Sequence, residues 1–334
     1  MMSIMVAALM WGLVLVLALR AKHRPDNTLM WAATVIAISM TTNVPGIYLW
    51  SATWLPPNAL DLMANLLLVI GVYYLASAIR RGATAAGMAG GVEANWTRIA
   101  AVVTILVMGA AFMRIDAPEP STNFMLTYGS QPAAGLYSAV QYVFIFGVML
   151  GTLTTCIRNV PRMIQARFKV GFSVTGAGCM AALLLCVSVV AMDICHVVGE
   201  LEFMRVLGGI YDVLFFTTMI LLCVGLAIPP LSRQINSLQL RRRVLAVEPE
   251  VRRIWSSTVA TTPSVSLVGA RLQRAPAAQK LRTDQATDGM HRMLVEIHDY
   301  LNVTASSDIL TAADWRCLDE AEALCLQQGR ALDG

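Results

Sequence analysis

Long apolar stretches alternate with short polar ones along the first 230 residues of the chain. Seven of them reach the length of about 17–25 residues that a helix needs to cross a bilayer. Their approximate limits are 3–19, 28–50, 58–79, 98–114, 134–157, 168–192 and 207–228. Lipid offers no hydrogen bonds to backbone N–H and C=O groups, so each stretch is predicted to be a helix. The pattern therefore predicts an all-α fold in which residues 1–230 form a polytopic seven-helix transmembrane bundle.

Composition points the same way. Of the 334 residues, 57% are hydrophobic and 14% are charged, whereas soluble proteins have about 25% charged residues. Seven long apolar helices would leave a soluble domain without a polar face. The chain is therefore predicted to be an integral protein of the cell membrane, with the lipid bilayer as its immediate partner.

Positive residues are concentrated in alternate loops, after the first, third and fifth predicted spans. They are Arg20, Lys22, Arg24, Arg80, Arg81, Arg98, Arg158, Arg162, Arg167 and Lys169. The N-terminus and the loop near 51–57 have none, and the two remaining loops have only Arg114 and Arg205. Positively charged loops stay in the cytoplasm. The N-terminus is therefore predicted to lie outside the cell and the C-terminus in the cytoplasm.

The sequence changes character after residue 230. Pro229 and Pro230 are predicted to end the membrane domain, because proline does not continue a helix comfortably. Residues 231–283 are predicted to hold juxtamembrane amphipathic helices followed by a linker, with Pro249 in the first turn of the second helix. The first of these helices suits either an anionic membrane surface or a simple juxtamembrane position.

Residues 284–334 are predicted to form a cytoplasmic helical hairpin. Thr311 and Asp314 have the spacing of a capping box at the start of its second helix. Two such helices are too small for an enzyme core. We expect them to pack on each other, on the juxtamembrane helices or on a cytoplasmic protein partner.

Polar residues within the predicted spans lie mostly towards the outer ends. They are Asn43, Asp61, Asn65, Gln141, Asp193, His196, Glu200 and Asp212. Asp193, His196 and Glu200 share one face if their helix continues, because their spacing is i, i+3, i+7. Ionisable residues at membrane depth normally face the bundle interior or a water-filled cavity. These eight residues are predicted to line an outward-facing, net acidic pocket for an unknown small ligand. The alternative is that they are interface residues wetted by headgroups, with the amides bonding between helices.

Other chemistry finds little support in the sequence. The seventh span has no lysine for a retinal Schiff base, and no P-loop, nucleophile elbow or HExxH helix is present. The Asp193, His196 and Glu200 spacing matches no closed metal signature. "EIHDYL" around His298 is similar to the phospho-acceptor box of a histidine kinase, but only 36 residues (299–334) follow it. We therefore expect no enzyme activity, no metal, no cofactor and no nucleic-acid partner.

The basic loops, the seven spans and the helical tail carry a resemblance to a known family. The stretch "HRMLVEIHDYL", residues 291–301, resembles a basic, apolar, "EIRD"-like run in the tails of an actinobacterial family of seven-span membrane proteins. That family carries a transporter label and a cytoplasmic helical domain of unknown function. Position 298 is His here, where the family tends to have Arg, and the resemblance implies no site residue.

Two classes of function follow from these observations. The chain is either a transporter of a small solute or ion that uses the outer acidic pocket, or a membrane sensor that signals through its tail. The inner halves of the spans have few polar residues, which favours the sensor. The family label favours the transporter.

Overall fold

A computed structural model describes residues 2–21, 26–85, 94–163, 166–258, 283–304 and 310–332. These residues form eleven α-helices and one short 3₁₀ helix, with no strand among them. The helices are α1 (Met2–Ala21), α2 (Thr28–Thr42), α3 (Pro45–Ser51), α4 (Ala59–Ala85), α5 (Ala94–Phe112), α6 (Phe124–Tyr128), α7 (Pro132–Asn159), α8 (Ala166–Val198), α9 (Leu201–Thr258), α10 (Thr283–Thr304) and α11 (Ala312–Leu332). The predicted all-α fold is confirmed for this part of the chain.

Six described helices, α1, α4, α5, α7, α8 and α9, are long and apolar enough to cross a membrane. The predicted span 28–50 is broken instead: α2 and α3 meet at an angle of 75° and would make a seventh crossing only if counted together. The break has a local cause. Pro45 disfavours helical geometry in the residue before it, and Val44 is extended, with φ −72° and ψ 123°.

Large apolar side chains cover the outside of these helices. Leu15, Leu106 and Val143 are 63%, 65% and 66% exposed. An apolar surface of this extent is unusual on a water-soluble protein, whereas lipid solvates it. The helices are therefore those expected of an integral membrane protein.

The chain divides into two compact units, Met1–Ser232 and Arg233–Gly334. In the first unit, α1, α2, α4, α7, α8 and the first part of α9 surround an apolar cavity of about 70 Å³. Each of these helices contributes residues to the cavity wall, for example Met10, Ile36, Val72, Ile145, Ala182 and Leu222. Helix α5 packs on α4 and α7 and has no residue on the wall of this cavity.

The first unit ends at Ser232, close to the predicted limit of the membrane domain, but helix α9 does not stop at Pro229 and Pro230 and continues through both. The same helix includes Pro249, so the predicted second juxtamembrane helix does not start there. Packing accommodates the ring in the first case. A Cβ atom at Gly171 on α8 would lie 3.0 Å from Pro229 Cδ, so the glycine leaves room for the proline ring. Prolines within membrane helices are tolerated where neighbouring groups compensate for the lost hydrogen bond.

The second unit is a three-helix cluster. The last part of α9 packs with α10 and α11, so the predicted hairpin has a third helix as its partner. Ile254, Met290, Ile297 and Leu318 are at most 1% exposed. The predicted linker lies largely outside the described residues, since 259–282 are not among them.

Two local features of the tail, the capping box and the position of His298, can be compared with the expectations from the sequence. The capping box is confirmed: the Thr311 amide donates to Asp314 Oδ2 at 3.0 Å, and the Asp314 amide donates to Thr311 Oγ1 at 3.2 Å. His298 is half-buried on α10, and its Nε2 atom lies 2.8 Å from Glu322 Oε1 on α11. This contact gives His298 a structural position between two helices.

Candidate functional site

Two pairs of polar side chains face each other across α4 and α7. Asp61 and Asn65 lie one turn apart in the first part of α4, and Tyr137 and Gln141 lie one turn apart in the first part of α7. Residues four apart share a helix face. Because α4 and α7 pack together, the two pairs meet in the bundle.

These four side chains form one directional chain of hydrogen bonds. Gln141 Nε2 donates to Asn65 Oδ1 at 2.9 Å, and Asn65 Nδ2 donates to the Tyr137 hydroxyl at 2.9 Å. The Tyr137 hydroxyl donates to Asp61 Oδ2 at 3.1 Å. Asn65 Nδ2 also lies 3.1 Å from the same carboxylate oxygen. The donors therefore all point towards Asp61, and we call these four residues the Asp61 network.

The charge on Asp61 has only neutral partners in this network. Tyr137 and Gln141 are each 2% exposed, and Asp61 and Asn65 are half-buried. The ion pairs among the described residues do not include Asp61. A carboxylate that is removed from water without a cation nearby is costly. A proton or a small cation bound at Asp61 would lower that cost.

Aromatic rings enclose the Tyr137 side of the network. The ring centroid of Tyr137 lies 6.0 Å from that of Phe112 at the end of α5 and 6.1 Å from that of Phe124 in α6. Phe124 also contacts Tyr128, with centroids 5.4 Å apart. These contacts place the segment 113–131, which carries α6, against the end of the bundle that holds the network.

Asn58 fastens this segment to the turn before α4. Its Oδ1 atom accepts hydrogen bonds from the Tyr48 hydroxyl at 2.8 Å and from the Ser121 amide at 2.9 Å. Its Nδ2 atom donates to the carbonyls of Glu119 at 2.9 Å and Ala117 at 3.3 Å. Asn58 is 2% exposed and has a φ of 60°. Asparagine tolerates this left-handed region better than most residues.

Asp193 lies on α8, which packs against α7. It is half-buried on α8, where its carboxylate faces the Ser138 hydroxyl. Its Oδ2 atom is buried without a well-formed hydrogen bond to any described group. No hydrogen bond among the described residues joins Asp193 to the Asp61 network, so the two carboxylates occupy separate positions.

Asp193 and His196 share one face of α8, as predicted, because the helix continues through both residues. His196 is half-buried on α8, and a Cβ atom at Gly129 would lie 2.8 Å from its Nδ1 atom, so its ring packs on the turn after α6. Helix α8 ends at Val198, and Gly199 has a φ of +87°. Glu200 is therefore turned away from the predicted i, i+3, i+7 face and is exposed.

The remaining two predicted residues are also exposed. Asn43 donates to the backbone carbonyl of Ser39 at 3.2 Å, within the end of α2. Asp212 is exposed on α9. Of the eight predicted site residues, the structure brings three into one hydrogen-bonded network, namely Asp61, Asn65 and Gln141.

Tyr137 is the member of the network that the sequence reasoning missed. A tyrosine among apolar residues in a predicted span has the pattern of a core residue. A usable signal was nevertheless present: Tyr137 precedes Gln141 by four residues, as Asp61 precedes Asn65. Two i, i+4 polar pairs on separate membrane helices indicate facing polar stripes.

Comparison with protein-family models, curated proteins and solved structures finds no match for this chain. The resemblance to the actinobacterial family therefore stays a prediction. Within the part of the chain that the structure describes, no three His, Cys, Asp or Glu side chains gather closely enough to hold a metal ion.

Proposed function

We propose that the chain is a membrane sensor in which the Asp61 network binds a proton or a small cation. The observation that carries this proposal is the directional chain from Gln141 to Asp61, which ends on a carboxylate with neutral partners only. Such an arrangement positions a carboxylate oxygen of Asp61 to bind a proton or a small cation. We place the site on the outer side, as the distribution of Arg and Lys indicates.

The interior of the first unit supports sensing more than transport. The cavity of about 70 Å³ at the centre of the helices is lined almost wholly by apolar side chains. It shares no lining residue with the Asp61 network. A cation that reached Asp61 would meet this apolar layer next, and crossing it would cost the full desolvation of the charge.

The output of the proposed sensor is the second unit. Helix α9 is a single helix from Leu201 to Thr258, so one stretch of backbone contributes to both units. Its last part packs with α10 and α11. We propose that this three-helix unit, including residues 284–334, engages a cytoplasmic protein partner when the external site changes its occupancy.

Ligand-linked stability tests the site. The full chain, purified in detergent, would be melted across neutral and mildly acidic pH and across sodium and potassium concentrations. Binding to the folded state raises the melting temperature, so the wild type should respond to at least one of these variables. Asp61→Asn should abolish the response, whereas Asp212→Asn, which alters an exposed carboxylate, should keep it. Equal responses of the wild type and Asp61→Asn would remove the site.

Hydrogen exchange tests the output. The ligand identified by melting should change amide exchange in α10 (Thr283–Thr304) in the wild type, and Asp61→Asn should show no such change. Binding that leaves exchange in the second unit unaltered would contradict signalling through this unit while leaving the external site intact.

A transporter is the second candidate, and the bend between α2 and α3 favours it. Transporters build their substrate sites on interrupted helices, and these two helices meet at 75°. Proteoliposomes with a pH-sensitive or potassium-sensitive dye inside would decide between the two functions. Uptake in the wild type that is lost in Asp61→Asn would establish transport and overturn the sensor.

A further inference from the structure

A lateral groove of about 660 Å³ is formed mainly by α5 and α7 and includes Arg80 near the end of α4. Small residues of α7, among them Ala139, Gly147 and Gly151, form much of its wall. A Cβ atom at Gly147 would meet nothing within 4 Å, so the wall faces open space there. From Ala139 to Thr155 the wall covers roughly 24 Å of helix. The hydrocarbon depth of one leaflet is about 15 Å, so the groove is long enough for an acyl chain.

Buried hydroxyls fix the position of the Arg80 guanidinium. Its Nη1 atom donates to Thr97 Oγ1 at 3.0 Å, and its Nη2 atom donates to Ser77 Oγ at 3.2 Å. Thr97 and Ser77 are 9% and 8% exposed. A guanidinium has five N–H groups, so these two contacts orient it and leave donors for a further partner.

The charge of Arg80 is not balanced by any described carboxylate. Its neighbour Arg81 differs, because Arg81 Nη1 lies 3.4 Å from Asp26 Oδ2. Arg80 bonds only to neutral hydroxyls among the described residues. A half-buried cation at one end of an apolar groove favours an anion that is itself attached to an apolar chain.

Trp96 marks the depth of this end of the groove. It lines the groove and is 65% exposed. Tryptophan is enriched at the headgroup level of membranes, and arginine near a helix end extends its charge to the same level. Arg80 and Trp96 therefore lie where a lipid phosphate would be expected.

We propose that this groove binds an anionic phospholipid, with its phosphate on Arg80 and one acyl chain along the small-residue wall of α7. The planar donors of a guanidinium match phosphate oxygens. Free phosphate would gain nothing from the apolar wall. A second copy that placed only an apolar face in the groove would leave the Arg80 charge without an anion.

A titration of thermal stability tests the proposal. The full chain, purified in a zwitterionic detergent, would be titrated with phosphatidylglycerol, with phosphatidylcholine of the same acyl chains, and with inorganic phosphate alone. Phosphatidylglycerol should raise the melting temperature saturably, and the other two should have little effect. Arg80→Gln should weaken the apparent affinity for phosphatidylglycerol about tenfold or more, as expected for the loss of charge-assisted hydrogen bonds.

Three further variants make the result specific. Gly147→Leu fills the groove and should weaken binding without changing a charge, while Arg80→Lys should bind better than Arg80→Gln. Arg98→Gln removes an exposed charge that does not line the groove and should bind as the wild type does. Because Gly147→Leu tests the apolar wall and Arg80→Lys tests the charged end of the groove, the proposal stays testable if Arg80→Gln fails to fold.

Several outcomes would overturn the proposal. Equal affinity of the wild type and Arg80→Gln would do so, as would equal responses to the two lipids. A response to phosphate alone that matches phosphatidylglycerol would indicate a simple anion site. A change of oligomeric mass in Gly147→Leu, measured by light scattering and accompanied by unchanged lipid affinity, would identify the groove as an interface between copies.

Discussion

The Trp255 indole nitrogen donates a 2.7 Å hydrogen bond to Glu296 Oε2 inside the three-helix unit. The two residues are 9% and 4% exposed. Trp255 belongs to the last part of α9 and Glu296 to α10, so the bond joins these two helices of the second unit. A buried carboxylate that loses its donor carries a desolvation cost. The bond therefore selects the way in which these helices pair.

Removing the indole donor should loosen the second unit. Trp255→Phe keeps an aromatic ring but leaves the Glu296 carboxylate unpaired, and we expect a loss of roughly 1–3 kcal/mol in local stability. Glu296→Gln keeps an acceptor oxygen and should cost less. Hydrogen exchange of the α10 amides in the full chain measures both. Equal protection of the α10 amides in the two variants would mean that the Trp255 indole does not stabilise the Glu296 carboxylate.

The start of α11 should be sensitive to acid. Hydrogen bonds from the Thr311 side chain and backbone lower the pKa of Asp314, and Arg253, 2.5 Å away, lowers it further. A carboxylate whose pKa is lower in the folded state stabilises the fold above its unfolded pKa of about 3.9. That contribution is lost as the pH falls through the lower, folded value.

Exchange at the first turn of α11, corrected for intrinsic rates, should therefore rise in acid in the wild type. Asp314→Ala should lose about 1 kcal/mol of helix stability near neutral pH, as expected for a lost capping interaction. It should also show a flatter pH dependence. Asp319→Ala, which alters an exposed carboxylate later in α11, is the matched control. An acid response that survives in Asp314→Ala would assign it to another group.

The features that the sequence predicted best depend on local spacing. Thr311 and Asp314 form their box because the contact lies within four residues and needs no other element. The order of long apolar stretches likewise follows from the length that a membrane requires. Pro45 breaks its predicted span through its effect on Val44, which local reasoning could also have found.

The features that the sequence did not predict depend on partners distant in the chain. Where α9 passes Pro229, Gly171 on another helix leaves space for the ring. The Asp61 network needs Tyr137 and Gln141 to face Asp61 and Asn65, which only the packing of α4 on α7 decides. A periodic pattern contains no information on either point. Glu200 is a different case, because its departure from the predicted face has a local cause: Gly199 follows the last residue of α8 and adopts a positive φ, as glycine commonly does after a helix.

The position of segment 113–131, which packs against the end of the bundle that holds the Asp61 network, should depend on Asn58. Asn58→Ala removes four hydrogen bonds and keeps a β-carbon at a φ of 60° without the polar side chain that lets asparagine tolerate this region. Asn58→Gly removes the same bonds but tolerates this φ. We expect both variants to melt at a lower temperature than the wild type. The free energy of unfolding should be about 1 kcal/mol smaller for Asn58→Ala than for Asn58→Gly, because alanine pays the cost of the left-handed conformation.

Hydrogen exchange in residues 115–123 measures locally the effect of losing the Asn58 hydrogen bonds. It should rise in both variants while α8 remains protected. Unchanged exchange there would show that the aromatic contacts of Phe124, rather than Asn58, hold the segment in place.

Close packing of α8 on α9 gives the last prediction. A Cβ atom at Gly225 would lie 2.4 Å from Thr175 Oγ1 and 2.6 Å from the Thr175 backbone nitrogen. Because one of these atoms is backbone, the helices must separate to accept even alanine. We expect Gly225→Ala to destabilise the first unit by roughly 1–3 kcal/mol, the usual cost of overpacking.

Gly209 is the matched control on the same helix. A Cβ atom there meets nothing within 4 Å, so Gly209→Ala should be neutral or stabilising by up to about 1 kcal/mol through helix propensity. Thermal melting of both variants in one detergent gives the comparison. If Gly225→Ala melted no lower than Gly209→Ala, α8 and α9 would not be in close contact. The space at Gly171 would then not be what accommodates the Pro229 ring between the two helices.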